Sequence, residues 1–278
     1  MKYRYLMATD MDLTIIMPDQ TIPAGNLEAC MALKDNGVAL TIATGRSSFL
    51  VDKYAELLGI DVPLITGNGG ALWDSSTRSH IFSADFPNDK LMELLKLFLD
   101  RDVDCTLYST EGVFLCPASS RQWFCDAYNK DLPDDLKAPV YHIDKSFLNS
   151  DIPEFNKFLL INVCDEIAEE LKSDPDLYVV SSGPTFYDVM PAGVSKGTGL
   201  LKLADTLGIP AENTFAIGDS ENDLSMIQDA KYGIAMAGSD PELLKAASYI
   251  TSTCAESGFA KAVYDYVLPI VNGKQDTV

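Results

Sequence analysis

The sequence is short of the residues that mark a redox centre, a zinc site or a nucleic-acid surface. Its six cysteines (Cys30, Cys105, Cys116, Cys125, Cys164 and Cys254) contain no Cys-x-x-Cys pair. That argues against a zinc cluster or a thioredoxin-like site and for buried free thiols. Histidine occurs twice, at His80 and His142, in neither case within a motif, so neither is expected to catalyse or to hold metal. Cations are scarce, 21 Lys and Arg against 41 Asp and Glu, and the formal net charge of -20 opposes association with nucleic acid or anionic membranes. No apolar run approaches the roughly 18 to 20 residues of a membrane-spanning helix. Asp10 and Asp12 interrupt the one N-terminal stretch that could resemble a signal peptide, and the expected location is cytoplasmic. Internal repeats and low-complexity tracts are also missing.

What is present is 278 residues of 47% hydrophobic content, enough for one large domain or two smaller ones with a substantial core. Residues 3–9 (YRYLMAT) and 38–44 (VALTIAT) are short β-rich runs. Between them Leu27, Cys30, Met31 and Leu33 recur near helical spacing before Gly37, so the order reads strand, helix, strand. A helix (SSFLVDKYAELLG), a strand (PLIT) and a hairpin turning at Asp74–Thr77 follow. Apolar strands alternating with amphipathic helices predict an α/β fold with a parallel sheet covered on both faces.

The texture changes between about Ala84 and Thr185, where a helix, four possible strands and an Asp/Pro-rich stretch suggest an inserted α+β domain. The first pattern then resumes with a helix after SKGTGL and strands at NTFAIGD and YGIAMA. The expected division is a core of residues 1–83 and 186–278 and an insert of residues 84–185. The insert's aromatics, including Trp123, Phe124, Phe155 and Phe158, are expected to form its own core.

In open parallel sheets ligands bind beyond the carboxyl ends of the strands. Those ends carry Asp10 and Asp12, Thr44-Gly45-Arg46, Asn68-Gly69-Gly70, and Gly218-Asp219-Ser220-Glu221-Asn222-Asp223. Asp10, Asp12, Asp219 and Asp223 could together supply a hard oxygen site suited to Mg²⁺.

Four ordered segments, DMDLT, ATGR, SKGTGL and GDSEND, resemble the motifs of the haloacid dehalogenase-like hydrolase superfamily. The large insert after Asn68-Gly69-Gly70 is similar to the type IIB cap of its Cof-type sugar-phosphate phosphatases. The resemblance implies a Rossmann-like core, an inserted cap that selects a small phosphate ester, and Mg²⁺-dependent hydrolysis. It implies Asp10 as the nucleophile that becomes an aspartyl phosphate and Asp12 as the proton donor and acceptor. Thr44 and Lys196 would hold the phosphoryl group, with Met11, Gly45, Arg46 and Asn222 as further substrate contacts. Asp10, the Asp12 backbone carbonyl and Asp219 would hold the metal, and Asp223 a metal-bound water or its neighbours. For Arg46, bracing the cleft is an equal alternative, as is helix capping for Asn222. A phosphomutase with the same chemistry and a non-enzymatic phospho-receiver remain as competing readings, and either a monomer or a homodimer is compatible.

Leu13 departs from the family's usual glycine. Because a positive φ is costly for leucine, an ordinary φ is expected there, with the side chain packed or facing the cleft.

Overall fold

The computed structural model describes residues 2–183 and 185–273. The chain begins with β1 (Tyr5–Thr9), α1 (Ala24–Asp35), β2 (Val38–Ile42), α2 (Asp52–Leu57), β3 (Leu64–Thr66), β4 (Ala71–Asp74) and β5 (Ser79–Ser83). It continues through α3 (Asn88–Asp100), β6 (Cys105–Ser109), β7 (Val113–Leu115), α4 (Gln122–Asn129), β8 (Val140–His142), β9 (Phe155–Ile161), α5 (Asp165–Lys172), β10 (Leu177–Gly183) and β11 (Phe186–Pro191). Then follow α6 (Lys196–Leu207), β12 (Thr214–Gly218), α7 (Leu224–Asp229), β13 (Tyr232–Ala235) and β14 (Tyr249–Ile250).

The first sheet runs β14-β13-β12-β1-β2, with every pairing parallel. A single bridge between Ala43 and Ile65 carries it on to β3, which opens an antiparallel unit with β4 and β5. Residues of β2 and β12 are buried throughout, as expected of strands covered on both faces. On α1 the buried side chains are Asn26, Ala29, Cys30 and Leu33, whereas Met31 is exposed. The helical period predicted there holds, and its face is rotated away from Met31.

The second sheet, β10-β11-β9-β6-β7-β8, is antiparallel except for the pair β7–β8. One boundary changes: the expected insert ends at Thr185, but Phe186–Pro191 pairs with both β9 and β10. The polar Asp188 breaks the apolar run of this segment, FYDVMP, and masks its strand character in the sequence pattern. Side chains alternate along these strands. Phe158 and Leu160 on β9 and Val189 on β11 pack with Leu94, Phe98 and Leu171 of α3 and α5. Lys157, Leu159, Phe186 and Asp188 instead line the cleft.

Candidate active site

The carboxyl ends of β1, β2 and β12 meet at the floor of a cleft of about 340 Å³, a volume within the ordinary range for small-molecule sites. α6 opens there with a capping box in which the Ser195 hydroxyl accepts from Thr198 N at 3.2 Å and Thr198 Oγ1 accepts from Ser195 N at 2.9 Å. This cap fixes the first turn and sends the fully buried Lys196 side chain into the floor. Lys196 Nζ donates to Asp10 Oδ1 at 2.5 Å and to Asp223 Oδ1 at 2.6 Å. Asp223 Oδ2 accepts from the backbone amides of Asp219 (2.9 Å) and Ser220 (3.0 Å). Asp219 accepts from Thr14 Oγ1 and Ser220 Oγ, both at 2.9 Å.

Asp10, Asp219 and Asp223 each offer an oxygen within 4.8 Å of the others'. Burial pushes the Asp10 carboxyl well above the ordinary range, and the Asp223 charge adds to this while Lys196 opposes it. Burial, then Asp223, push Asp219 up to about 6. For Lys196, burial works against the ammonium, but Asp10 and Asp223 outweigh it and hold its pKa above the usual 10.5. Two buried acids thus share one lysine, and a third, partly buried, lies beside them. An added cation fits this deficit of positive charge: Asp10 Oδ2 accepts no hydrogen bond among the described residues, Asp219 is engaged only by two neutral hydroxyls, and Asp223 already takes the Lys196 ammonium and two backbone amides.

Asp12 does not join this cluster. Its carboxylate is half exposed and forms a two-point pair with Arg46, Nη2 to Oδ1 at 2.5 Å and Nε to Oδ2 at 3.0 Å. Gln20 joins that pair by accepting from Arg46 Nη2 at 2.7 Å and from Tyr54 OH at 2.8 Å. Asp10 and Asp12 nevertheless line the same cleft. The loop between β1 and α1 is closed by Leu13 N to Ile16 O (3.0 Å) and Ile16 N to Met11 O (3.0 Å). Leu13 sits there at φ 62°, contrary to the ordinary φ expected, with its side chain on the cleft rim. The loop must turn sharply enough to bring Thr14 onto Asp219, and that demand outweighs leucine's preference. Met11 is wholly buried in the core, so its side chain lies away from the cleft.

Thr44, Gly45 and Asn222 line the floor. The Thr44 hydroxyl accepts from Arg46 N at 3.2 Å, which leaves its proton free. Gly69 lets the β3 end approach α6 closely: at φ 93° it lies so near Ser195 that a Cβ would overlap the carbonyl.

Several cleft residues escaped the sequence reading. Lys157 pairs with Asp188 at 2.5 Å, both almost wholly buried, and donates to Gly45 O at 2.5 Å. Asp188 accepts from Asn68 Nδ2 at 2.7 Å, and Asn68 Oδ1 accepts from Asn222 Nδ2 at 3.3 Å. The second sheet is therefore tied to the Thr44-Gly45-Arg46 loop and to Asn222 through buried polar groups. A lone lysine in FNKFLLI and a lone aspartate in FYDVMP were the available signals. Phe155 and Phe158 are core residues as expected, but Trp123 is exposed and Phe124 lines the cleft. His80 packs against Trp73 and Phe49, bonded to Ser48 Oγ at 2.9 Å, and His142 meets Gln122. Neither lines the cleft.

Comparison with known proteins agrees with this arrangement. The sequence signature of haloacid dehalogenase-like hydrolases matches residues 7–263. The chain is 31% identical over 269 residues to the 5-amino-6-(5-phospho-D-ribitylamino)uracil phosphatase YcsE of Bacillus subtilis, covering 95% of this chain and 96% of that protein. Among solved structures, a haloacid dehalogenase-like hydrolase from B. subtilis superimposes with a TM-score of 0.81 at 24% identity, over 96% of this chain and 100% of that one. The subclass IIB sugar phosphatase BT4131 superimposes with a TM-score of 0.79 at 24% identity, over 95% and 99%. No helix among the described residues is long and apolar enough to cross a membrane. With the ends of β1, β2 and β12 gathered around one cleft and the family signature matched over nearly the whole chain, the protein belongs to the haloacid dehalogenase-like hydrolase family, as a Cof-type phosphatase of small phosphate esters.

Proposed function

We propose that this phosphatase hydrolyses phosphate monoesters, sugar phosphates foremost, with Mg²⁺ and through an aspartyl phosphate on Asp10. The observation that carries the reading is the buried Lys196 ammonium bonded to both Asp10 and Asp223 on the cleft floor. Lys196 aims the Asp10 carboxylate and places a cation where an anionic phosphoryl group must approach. The Thr44 hydroxyl and the Gly45 amide hold phosphoryl oxygens, and Asn222 adds an amide donor. Mg²⁺ bound by Asp10 and Asp219 supplies the missing positive charge that keeps the acids ionised and offsets the charge of the substrate.

Asp12 protonates the leaving oxygen and then takes a proton from the water that attacks the aspartyl phosphate. Arg46 holds Asp12 on the cleft wall, so the pair must open or turn for the carboxyl to reach the ester oxygen. The second sheet, about residues 84–191, acts as the cap that covers the cleft and excludes bulk water.

The test is release of inorganic phosphate from a panel of esters: p-nitrophenyl phosphate, hexose phosphates, D-ribitol 5-phosphate and 5-amino-6-(5-phospho-D-ribitylamino)uracil. The expected result is turnover with Mg²⁺, loss with chelator, and a loss of about 10³-fold or more in Asp10→Asn. Full activity in that variant refutes Asp10 as nucleophile. Isomerised sugar phosphate without phosphate release refutes hydrolysis.

A further inference from the structure

The cations on and beneath the cleft wall are matched to acids with one exception. Lys196 is held by Asp10 and Asp223, Arg46 by Asp12, and Lys157 by Asp188. Arg121 also lines the cleft, and among the described residues it has no carboxylate within 4 Å and its guanidinium donates to no protein acceptor. In a chain with 41 acidic and 21 basic residues, a cation without a partner beside the site is a group waiting for an acceptor. Its flat face is already in use, since the guanidinium lies 3.9 Å from the centroid of the Phe124 ring. Stacking of this kind leaves the in-plane N–H donors to be satisfied from elsewhere.

The surroundings narrow what that acceptor is. Phe124 and Phe186, both partly exposed, give the insert's side of the cleft a flat, apolar character, whereas Tyr108 and Leu159 are buried there. Phe124 also lies 5.6 Å from the Arg46 guanidinium, so its place is set from the core as well as from the insert. A polyhydroxylated tail alone would leave these faces uncovered. A second anion would meet Asp12 and Asp188, which line the same cleft. A neutral planar ring suits both demands, with its faces against the aromatic wall and its carbonyl oxygens accepting from Arg121.

We infer that Arg121 and Phe124 form a leaving-group subsite for a flat, carbonyl-bearing ring, and that Arg121 is a specificity-determining residue of the phosphatase. The inference rests on the phosphatase reading above and names the substrate class of that same cleft.

Two members of the panel differ only in the ring: 5-amino-6-(5-phospho-D-ribitylamino)uracil and D-ribitol 5-phosphate. The wild-type protein is expected to favour the ring-bearing ester in kcat/KM by about tenfold or more. That ratio is expected to fall about tenfold in Arg121→Ala, chiefly through KM, and by less in Arg121→Lys, which keeps the charge and loses the planar fork. A wild-type ratio near unity, a ratio unchanged in a folded Arg121→Ala, or a preference for D-ribonate 5-phosphate over the ring overturns the inference. Calorimetric binding of the dephosphorylated ring compound separates this from failure of the reaction itself. Its Kd should rise about tenfold in Arg121→Ala even if no ester is turned over, and an unchanged Kd overturns the subsite.

Discussion

Removing the Lys157 ammonium should be among the most damaging single changes in this protein, although the residue lies in the insert and in none of the four motif segments. Lys157 and Asp188 have side chains 2% and 1% exposed and meet at 2.5 Å. In Lys157→Met, Asp188 keeps a single side-chain donor, Asn68 Nδ2 at 2.7 Å, and the Gly45 carbonyl loses the Lys157 proton that it accepts. Leaving one member of a buried ion pair uncompensated costs about 3–5 kcal/mol, and Asp188→Leu, which strands the ammonium instead, should cost a similar amount. The double variant Lys157→Met/Asp188→Leu replaces both charges by apolar groups. It should recover most of the loss, short of about 1 kcal/mol for the unpaired Gly45 carbonyl. Urea unfolding of the four proteins gives the coupling energy, expected to exceed about 2 kcal/mol. Single-variant losses below about 1 kcal/mol, or strictly additive losses, would show that water reaches this pair and that it does not tie the second sheet to the Thr44-Gly45-Arg46 loop.

Leu13 sits at φ 62° and is 49% exposed. Leu13→Gly should therefore range from neutral to about 1 kcal/mol stabilising, since the relief of about 1–2 kcal/mol of left-handed strain exceeds the entropy cost of glycine; a loss above about 1 kcal/mol in thermal unfolding would mean that rim packing dominates. Gly69→Ala should cost about 3 kcal/mol or more because its Cβ would overlap the Ser195 carbonyl. The comparison variant Gly59→Ala, at φ 65° with nothing within 4 Å, should cost only about 1 kcal/mol of backbone strain; equal losses would refute the close approach. His80 has its pKa pulled from 6.5 down to about 4 by burial, so as pH falls the unfolded chain takes up the proton first. The stability it contributes is complete above about pH 6.5 and is lost on the way to about pH 4, at most about 3 kcal/mol. His80→Phe should flatten that part of the stability profile, and identical wild-type and variant profiles between pH 7 and 4.5 would refute it.

The sequence by itself determined the parallel sheet, the existence of the insert and the strand ends that carry Asp10, Thr44 and Asp219. These follow from local patterns: apolar runs of strand length, helical spacing between them, and polar residues where a buried strand must stop. What the tertiary structure decided is which partner each polar group takes. Asp12 was legible as a strand-end acid, but its pairing with Arg46 rather than with the acidic cluster depends on where two separate loops come together. Leu13 takes a positive φ because Thr14 must reach Asp219, 205 residues away in sequence, and no local propensity carries that requirement. The insert shows the limit most clearly. Lys157 and Asp188 face the cleft only because β9 and β11 pair in one register, and Phe124 leaves the expected core for the cleft wall. Local energies select elements, whereas buried charges and strained turns are tolerated only where distant parts of the chain supply their partners.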